Sequence, residues 1–405
     1  MIIGENSIID YKISKENLLK IANIEWVHNI TFKDNLLDYV LSVADILPDT
    51  TKYYISLDIN KLYDLNILKN IYEKNPNIYI LYGYEDVSID VFIYTCKKLD
   101  ELVEPIKSLP LSPFEKFIYV FNATSKFRKY KYKEGLEDKS GGIFDLFESD
   151  NNLIVCLGFS KILDELCKRI GLHSKRENIY LCENKENGKT ETHSRNIGKI
   201  IDKKYNIDGI YIFDSTLSND TENDLYVTSC MTPYESLGTY FDNVKYGTYL
   251  DILSAQSYDE FIYVISRDSI NKYRNFSEAL NILLEFYPIL DEILSMDIYN
   301  NFKNIDNPNK DDYYKLFANE EFMQKLYIFI KEKCNKIIDG NTIVKAACNV
   351  KKELEPSISN EALEKFKKKI LETNSNYHDE LYVYVEEYDE ATVIKYINDR
   401  RNTFK

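Results

Sequence analysis

The stretch Asn151-Asn152-Leu153-Ile154-Val155-Cys156-Leu157-Gly158-Phe159-Ser160-Lys161-Ile162-Leu163-Asp164-Glu165-Leu166-Cys167-Lys168-Arg169-Ile170-Gly171 joins a short strand-like run to an amphipathic helix. Apolar residues at Cys156, Phe159, Ile162, Leu163, Leu166, Cys167 and Ile170 fall at helical spacing. Gly171 is a natural C-terminal cap. The pattern places Cys156 in the first turn, where the positive end of the helix dipole favours thiolate, the nucleophilic form of cysteine. Cys167 lies about 16 Å further along the same helix, too far to act with Cys156, and is expected to pack in the core.

A nucleophilic cysteine needs a base and a group that orients the base. The chain has 4 histidines. One of them, His193, sits in a strand-like run from Thr190 to Ile201. A second run, Asp208 to Thr216, follows a turn-rich segment and carries Asp214. A hairpin centred on Lys203–Lys204 puts His193 directly opposite Asp214; the turn signals at Asn206 and Asp208-Gly209 sit slightly later, which leaves a second register open, and in either one Asp214 can orient the imidazole. Taken singly, each residue has a plainer reading. Cys156 alone reads as a core thiol, His193 as a structural histidine and Asp214 as a strand end; Asn196 reads as a support for its strand.

Together, the ordered segments Cys156-Leu157-Gly158-Phe159-Ser160, His193-Ser194-Arg195-Asn196 and Asp214-Ser215-Thr216 resemble the transglutaminase-like (papain-fold) superfamily of cysteine enzymes. Its pattern is a Cys-x-Gly-Tyr/Phe-Ala/Ser helix start, a His-Ala-Trp-Asn-type strand and a strand ending in Asp-x-Thr. The run Lys204 to Tyr211 is similar to bacterial members. The resemblance covers about residues 113–220. The sequence departs from the pattern at Ser194-Arg195, where the family carries a small residue and an aromatic.

What the resemblance implies is an α+β fold: a papain-like core in which the Cys-bearing helix packs on an antiparallel sheet. It implies Cys156 as nucleophile, His193 as general base and then acid, and Asp214 as the orienting group. The implied chemistry is acyl transfer or hydrolysis on protein or peptide amides through a thioester, with no cofactor and no metal. The Cys156 backbone N–H would supply one oxyanion donor. The departure at Ser194-Arg195 and the large flanking regions motivate the alternative, a non-catalytic module of the same fold that binds proteins.

The rest of the sequence bounds these readings. Its 405 residues suggest two or three domains. Tyr 34 and Phe 20 can fill large cores. A formal charge of −15 repels phosphate backbones, so no nucleic-acid partner is expected, although Lys126 to Lys133 interleaves bases with aromatics. No apolar run is long enough for a membrane helix, so no membrane partner is expected. The N-terminus lacks a secretory pattern, and Cys 7 is an odd count with irregular spacing; both point to free thiols in the cytoplasm. The acidic run Asp220, Glu222 and Asp224 lacks the spacing of a calcium loop and reads as a solvated turn.

Three regions are expected: an N-terminal α/β region over 1–108, the transglutaminase-like core over 109–252, and a mainly helical region over 253–405. In the first, strands near Trp26–Phe32, Lys52–Ile59 and Asn77–Gly83 alternate with helices near Leu36–Ile46 and Leu62–Glu73. That pattern suits βαβ units or a solenoid-like stack. The prolines of Glu104–Pro113 mark the first boundary, and Ser112-Pro113-Phe114-Glu115 has capping-box form. In the third region, helical periodicity runs over Ile270–Met296, Asp311–Ile338 and Asn360–Glu372, broken by Pro288, Asn304–Asn309, Asp339-Gly340 and Pro356, with one late strand at Glu380–Val385.

Overall fold

The structure is a computed structural model of the chain and describes residues 1–130, 142–148, 153–183, 190–237, 249–266, 272–377 and 402–404. It is a mixed α+β protein. The chain divides into two compact units, residues 1–104 with 133–152, and 105–132 with 153–405. The break at Glu104–Pro105 falls at the start of the proline-rich segment, in the last turn of the helix that ends at Lys107.

In the first unit β1 (Asn6–Ile9), β2 (Asn29–Lys33), β3 (Lys52–Leu57) and β4 (Ile78–Tyr82) run parallel in sequence order, and β5 (Glu85–Ser88) adds antiparallel at the edge. Helices α1 (Lys15–Ala22), α2 (Leu37–Val43) and α3 (Leu65–Lys74) make the crossovers. Asn6 pairs with Asn29, and Asn29 with Lys52, a step of 23 residues each time. Strands laid down in sequence order by crossovers of one hand keep their helices on one face of the sheet. The strand residues alternate accordingly. Ile30, Phe32, Tyr53, Ile55, Ile78 and Ile80 are buried, whereas Thr31, Tyr54, Ser56 and Tyr79 are half-buried. Each parallel strand–helix–strand step is a βαβ unit, and the units follow one another along the sheet in sequence order. Helix α4 (Ile89–Lys107) follows and accommodates Pro105 in its last turn.

The second unit starts with α5 (Pro113–Ser125). Its capping box is complete: Ser112 Oγ accepts from the Glu115 N–H, and Glu115 Oε2 accepts from the Ser112 N–H at 2.8 Å. Helix α6 (Cys156–Arg169) then packs with α5 against an antiparallel sheet of β6 (Ser174–Glu183), β7 (Thr190–Asp202) and β8 (Ile207–Phe213), with β7 in the centre. Phe159, Ile162, Leu163, Leu166 and Cys167 form the buried stripe of α6, as their spacing predicts. Gly171 takes a φ of +76°, the left-handed conformation of a helix terminator.

The β7–β8 hairpin turns through Lys203 to Asn206, with Asn206 at φ 52°. Asp202 fastens both ends of the arrangement. Its Oδ1 accepts from the Lys204 N–H at 2.8 Å, and its Oδ2 accepts from the Phe114 N–H at the start of α5, also at 2.8 Å.

Helices α7 (Pro233–Leu237), α8 (Tyr249–Ser254), α9 (Tyr258–Ser266), α10 (Lys272–Phe286), α11 (Asp297–Lys303), α12 (Lys310–Phe317), α13 (Glu320–Cys334), α14 (Gly340–Leu354) and α15 (Asn360–Asn376) complete the unit. Most of α8 through α13 shares a core with Ile197, Ile210 and Ile212 of the sheet. The C-terminal helical region is thus continuous with the sheet's packing. One of the expected helices is divided. The helix expected over Asp311–Ile338 is two helices, because Asn319 Oδ1 accepts from the Phe322 N–H and caps a new start. The break at Asp339-Gly340 separates α13 from α14, and Asp339 is the N-cap of α14, its Oδ1 accepting from the Thr342 N–H. The strand expected at Glu380–Val385 lies outside the described residues.

Candidate active site

Cys156 is the first residue of α6, and Val155 stands at the N-cap without a side-chain bond. A helix start leaves backbone N–H groups pointing outward, and their partial positive charge favours an anion at this position. The Cys156 side chain is hydrogen-bonded to His193 and takes a backbone hydrogen bond from Ser194. Burial by itself would raise the thiol; the His193 hydrogen bond and charge together with the Ser194 N–H outweigh it, and the group ionises below its usual range. Cys156 keeps partial exposure. Cys167, on the same helix, is fully buried and its thiol is pushed well up by loss of solvent.

His193 is 6% exposed and Asp214 is 0% exposed. His193 Nε2 lies 2.8 Å from Asp214 Oδ2. Burial disfavours the imidazolium, but the Asp214 carboxylate and its hydrogen bond, with the Cys156 sulfur on the other side, raise His193 to about 9. The three side chains that the sequence singles out therefore come together.

The register that joins them differs from the one centred on Lys203–Lys204. Phe213 pairs with Asn196, so Asp214 follows beside Arg195, and His193 is its diagonal neighbour. The hairpin is centred one residue later than in that register, at Lys204–Tyr205, which moves the partner of His193 by two positions. A two-residue shift preserves the face to which each side chain points, so the contact survives the change.

Asp214 is held from its own loop. Its Oδ1 accepts from the N–H groups of Thr216 and Leu217, both at 3.1 Å. Its backbone N–H donates to Thr228 O at 3.0 Å, and the Thr228 hydroxyl donates back to Asp214 O. The carboxylate thus turns back on the next residues with one oxygen and offers the other to the imidazole. Helix α15 braces the same loop. Asn374 Nδ2 donates to Asp224 O at 2.8 Å, and Asn374 Oδ1 accepts from the Tyr226 N–H at 2.6 Å.

Asn196 is fully buried and its Nδ2 donates to Ser160 O at 2.9 Å, tying β7 to the helix that carries Cys156. Ser194 and Arg195 are also buried. The Ser194 hydroxyl bonds to Asn178 across the strand pair. Arg195 Nε donates to Glu177 Oε2 at 2.8 Å, and the Tyr249 hydroxyl donates to the other oxygen of Glu177. The role of Glu177 and Tyr249 beside the site is invisible in the sequence, because it depends on the β6–β7 register and on where α8 packs. Asn152, near Cys156 in sequence, lies outside the described residues.

The other stretches with chemical interest are accounted for by packing. Lys126 pairs with Asp224, which also accepts from Asn122 Nδ2 at 2.8 Å. Asp220 closes a turn on the N–H groups of Glu222 and Asn223 at 2.8 and 2.9 Å. Within the acidic run Glu222 is exposed, as a solvated loop predicts, whereas Asp224 is half-buried and ties the loop to Asn122 and Lys126 at the end of α5. The remainder of the basic and aromatic stretch, beyond Tyr130, lies outside the described residues. Among the described residues no group of three or more His, Cys, Asp or Glu is placed to hold a metal ion, and no helix is long and apolar enough to cross a membrane.

No protein-family model matches this sequence, and no curated protein matches it.

Proposed function

We propose that this chain is a cysteine-dependent acyltransferase or amide hydrolase of the transglutaminase-like, papain-fold kind, acting on protein or peptide amides. The observation that carries the proposal is the buried His193 imidazole, bonded through Nε2 to Asp214 and in contact with the Cys156 sulfur at a helix start. The packing of α6 on an antiparallel sheet is the arrangement that the resemblance implies, and it supports the same reading.

In the proposed reaction the Cys156 thiolate bonds to an amide carbonyl carbon. The carbonyl electrons move to oxygen, where the Cys156 backbone N–H would stabilise them. His193 gives its proton to the departing nitrogen, the C–N bond breaks and a thioester remains. Water or an amine then attacks the thioester and surrenders a proton to His193, and the thiolate leaves. Asp214 stays ionised throughout, holding the ring and compensating its charge. Water as acceptor gives cleavage or deamidation, and a lysine amine gives a crosslink. Among the described residues, Cys96, Cys156, Cys167, Cys230, Cys334 and Cys348 are in no disulfide, which suits a reducing compartment, so a cytoplasmic site of action belongs to the same proposal.

Mass spectrometry of the full chain incubated with glutamine- and lysine-bearing peptides tests the reading. A product shifted by about 1 Da (deamidation), a crosslinked pair or a cut peptide, absent with Cys156→Ala, is expected. Peptide products that persist unchanged with Cys156→Ala would overturn it.

A further inference from the structure

Arg195 occupies the position where the sequence leaves the family pattern, and its surroundings give it a function. It is 2% exposed, and Glu177 stands directly opposite it in the β6–β7 ladder. The pair is closed by the 2.8 Å Arg195–Glu177 bond, and Glu177 is anchored from α8 by the Tyr249 hydroxyl. On the other edge of β7, the Phe213–Asn196 pairing brings Asp214 next to Arg195, within range of its charge. Across the sheet the groups alternate in sign: Glu177, Arg195, Asp214, then His193 and the Cys156 thiolate.

A buried ion pair is seldom a gain in stability over apolar residues of the same size, because two charges must be stripped of water. Asp214, however, is fully buried and must stay anionic to orient His193. Its own loop gives it two N–H groups and the ring gives it one contact; a fixed cation alongside is a further reason for it to remain charged. We propose that Arg195, locked by Glu177 and Tyr249, is a positioning residue that keeps Asp214 ionised and thereby keeps His193 in its working orientation. This rests on the triad reading given above.

The charged and titratable groups around the pair are Tyr249 from α8, Glu278 from α10 with Arg274 and Lys175 near it, and Cys156 from α6. None of them is removed in the test. The rate of Cys156 alkylation by iodoacetamide, read by peptide mass, is followed against pH in the full chain. Removing both charges with Arg195→Met and Glu177→Gln should move the acid limb of the profile up by about one pH unit, because Asp214 then protonates sooner. Glu177→Gln alone leaves the cation unbalanced and should move the acid limb down. Arg195→Lys should return most of the wild-type profile.

Opposite shifts for the two Gln-bearing variants support the proposal. Acid limbs that coincide with wild type, with only the melting temperature lowered, would overturn it and leave Arg195 as a packing residue. If the double variant does not fold, the direction of the Glu177→Gln shift decides: downward supports the proposal, and no shift or an upward one overturns it. If alkylation of the wild type is itself independent of His193, the triad reading falls and this inference falls with it; if that dependence holds and the acid limbs coincide, this inference alone falls.

Discussion

His193 Nε2 and Asp214 Oδ2 lie 2.8 Å apart although the two residues are not opposite each other in the β7–β8 ladder. Asp214 sits one residue past the end of β8, where its loop bends the carboxylate back through two N–H bonds from Thr216 and Leu217. The carboxylate is therefore placed by the loop, and the ring by the strand. Each can be altered without removing the other.

Asp214→Asn keeps the shape of that contact and removes its charge. The imidazolium then loses the partner that offsets its burial, and His193 should fall from about 9 toward or below the ordinary histidine value of about 6.5. Turnover of any substrate found should drop by about 10²-fold or more, and the alkaline limb of its pH–rate profile, where the imidazolium is lost, should move down with it. A pH–rate profile of the variant checks both. The sign for stability follows from the raised value in the folded state. The His193–Asp214 pair stabilises fully below about pH 6.5 and that contribution is lost as pH rises through about 9. The variant should lack this alkaline loss in urea titrations.

Glu115 joins three parts of the second unit. Its Oε1 accepts from Lys204 Nζ at 2.6 Å, the Tyr205 hydroxyl at 2.7 Å and Asn349 Nδ2 at 2.8 Å, while Oε2 completes the cap of α5. Burial opposes its charge, but these bonds prevail and hold the carboxyl down at about 2. Its contribution is thus complete above the usual glutamate value and is lost as pH falls toward about 2. Glu115→Gln should cost about 1–3 kcal/mol at neutral pH and flatten the acid part of the stability curve. Urea midpoints at several pH values measure this.

Gly198 lies on the central strand where a methyl group has no room. An added Cβ would sit 2.5 Å from Phe213 Cε2 and 3.0 Å from the backbone oxygen of His173. Phe213 cannot yield easily, since its ring packs at 4.4 Å on Phe117. Gly198→Ala should therefore lower stability by about 1–3 kcal/mol, seen as a reduced melting temperature. Gly171→Ala meets no atom within 4 Å and should cost only the strain of its positive φ, about 1–2 kcal/mol.

The parts of the fold that depend on local pattern were legible in the sequence. The apolar spacing of α6, the Ser112–Glu115 capping box and the strand–helix alternation of the first unit are set by neighbours within a few residues. The meeting of Cys156, His193 and Asp214 was legible because a hairpin has few registers and an even shift keeps faces aligned. What depended on distant packing was not. Arg195 read as an odd residue after the histidine; its meaning needs Glu177 from one strand and Tyr249 from a helix far along the chain. Asn319 lies inside a run of unbroken helical periodicity, yet it caps a new helix, because a cap differs from a mid-helix or loop residue only by the turn that follows it.

The most direct measurement is the iodoacetamide labelling rate of each cysteine below pH 7, in the wild type and in His193→Ala. Cys156 should react first, ahead of the partly exposed Cys96 and Cys348, and its rate should fall by about tenfold or more when His193 is removed. A Cys156 rate no greater than theirs, or one unchanged by His193→Ala, would contradict the thiolate–imidazolium pair on which the proposed chemistry rests.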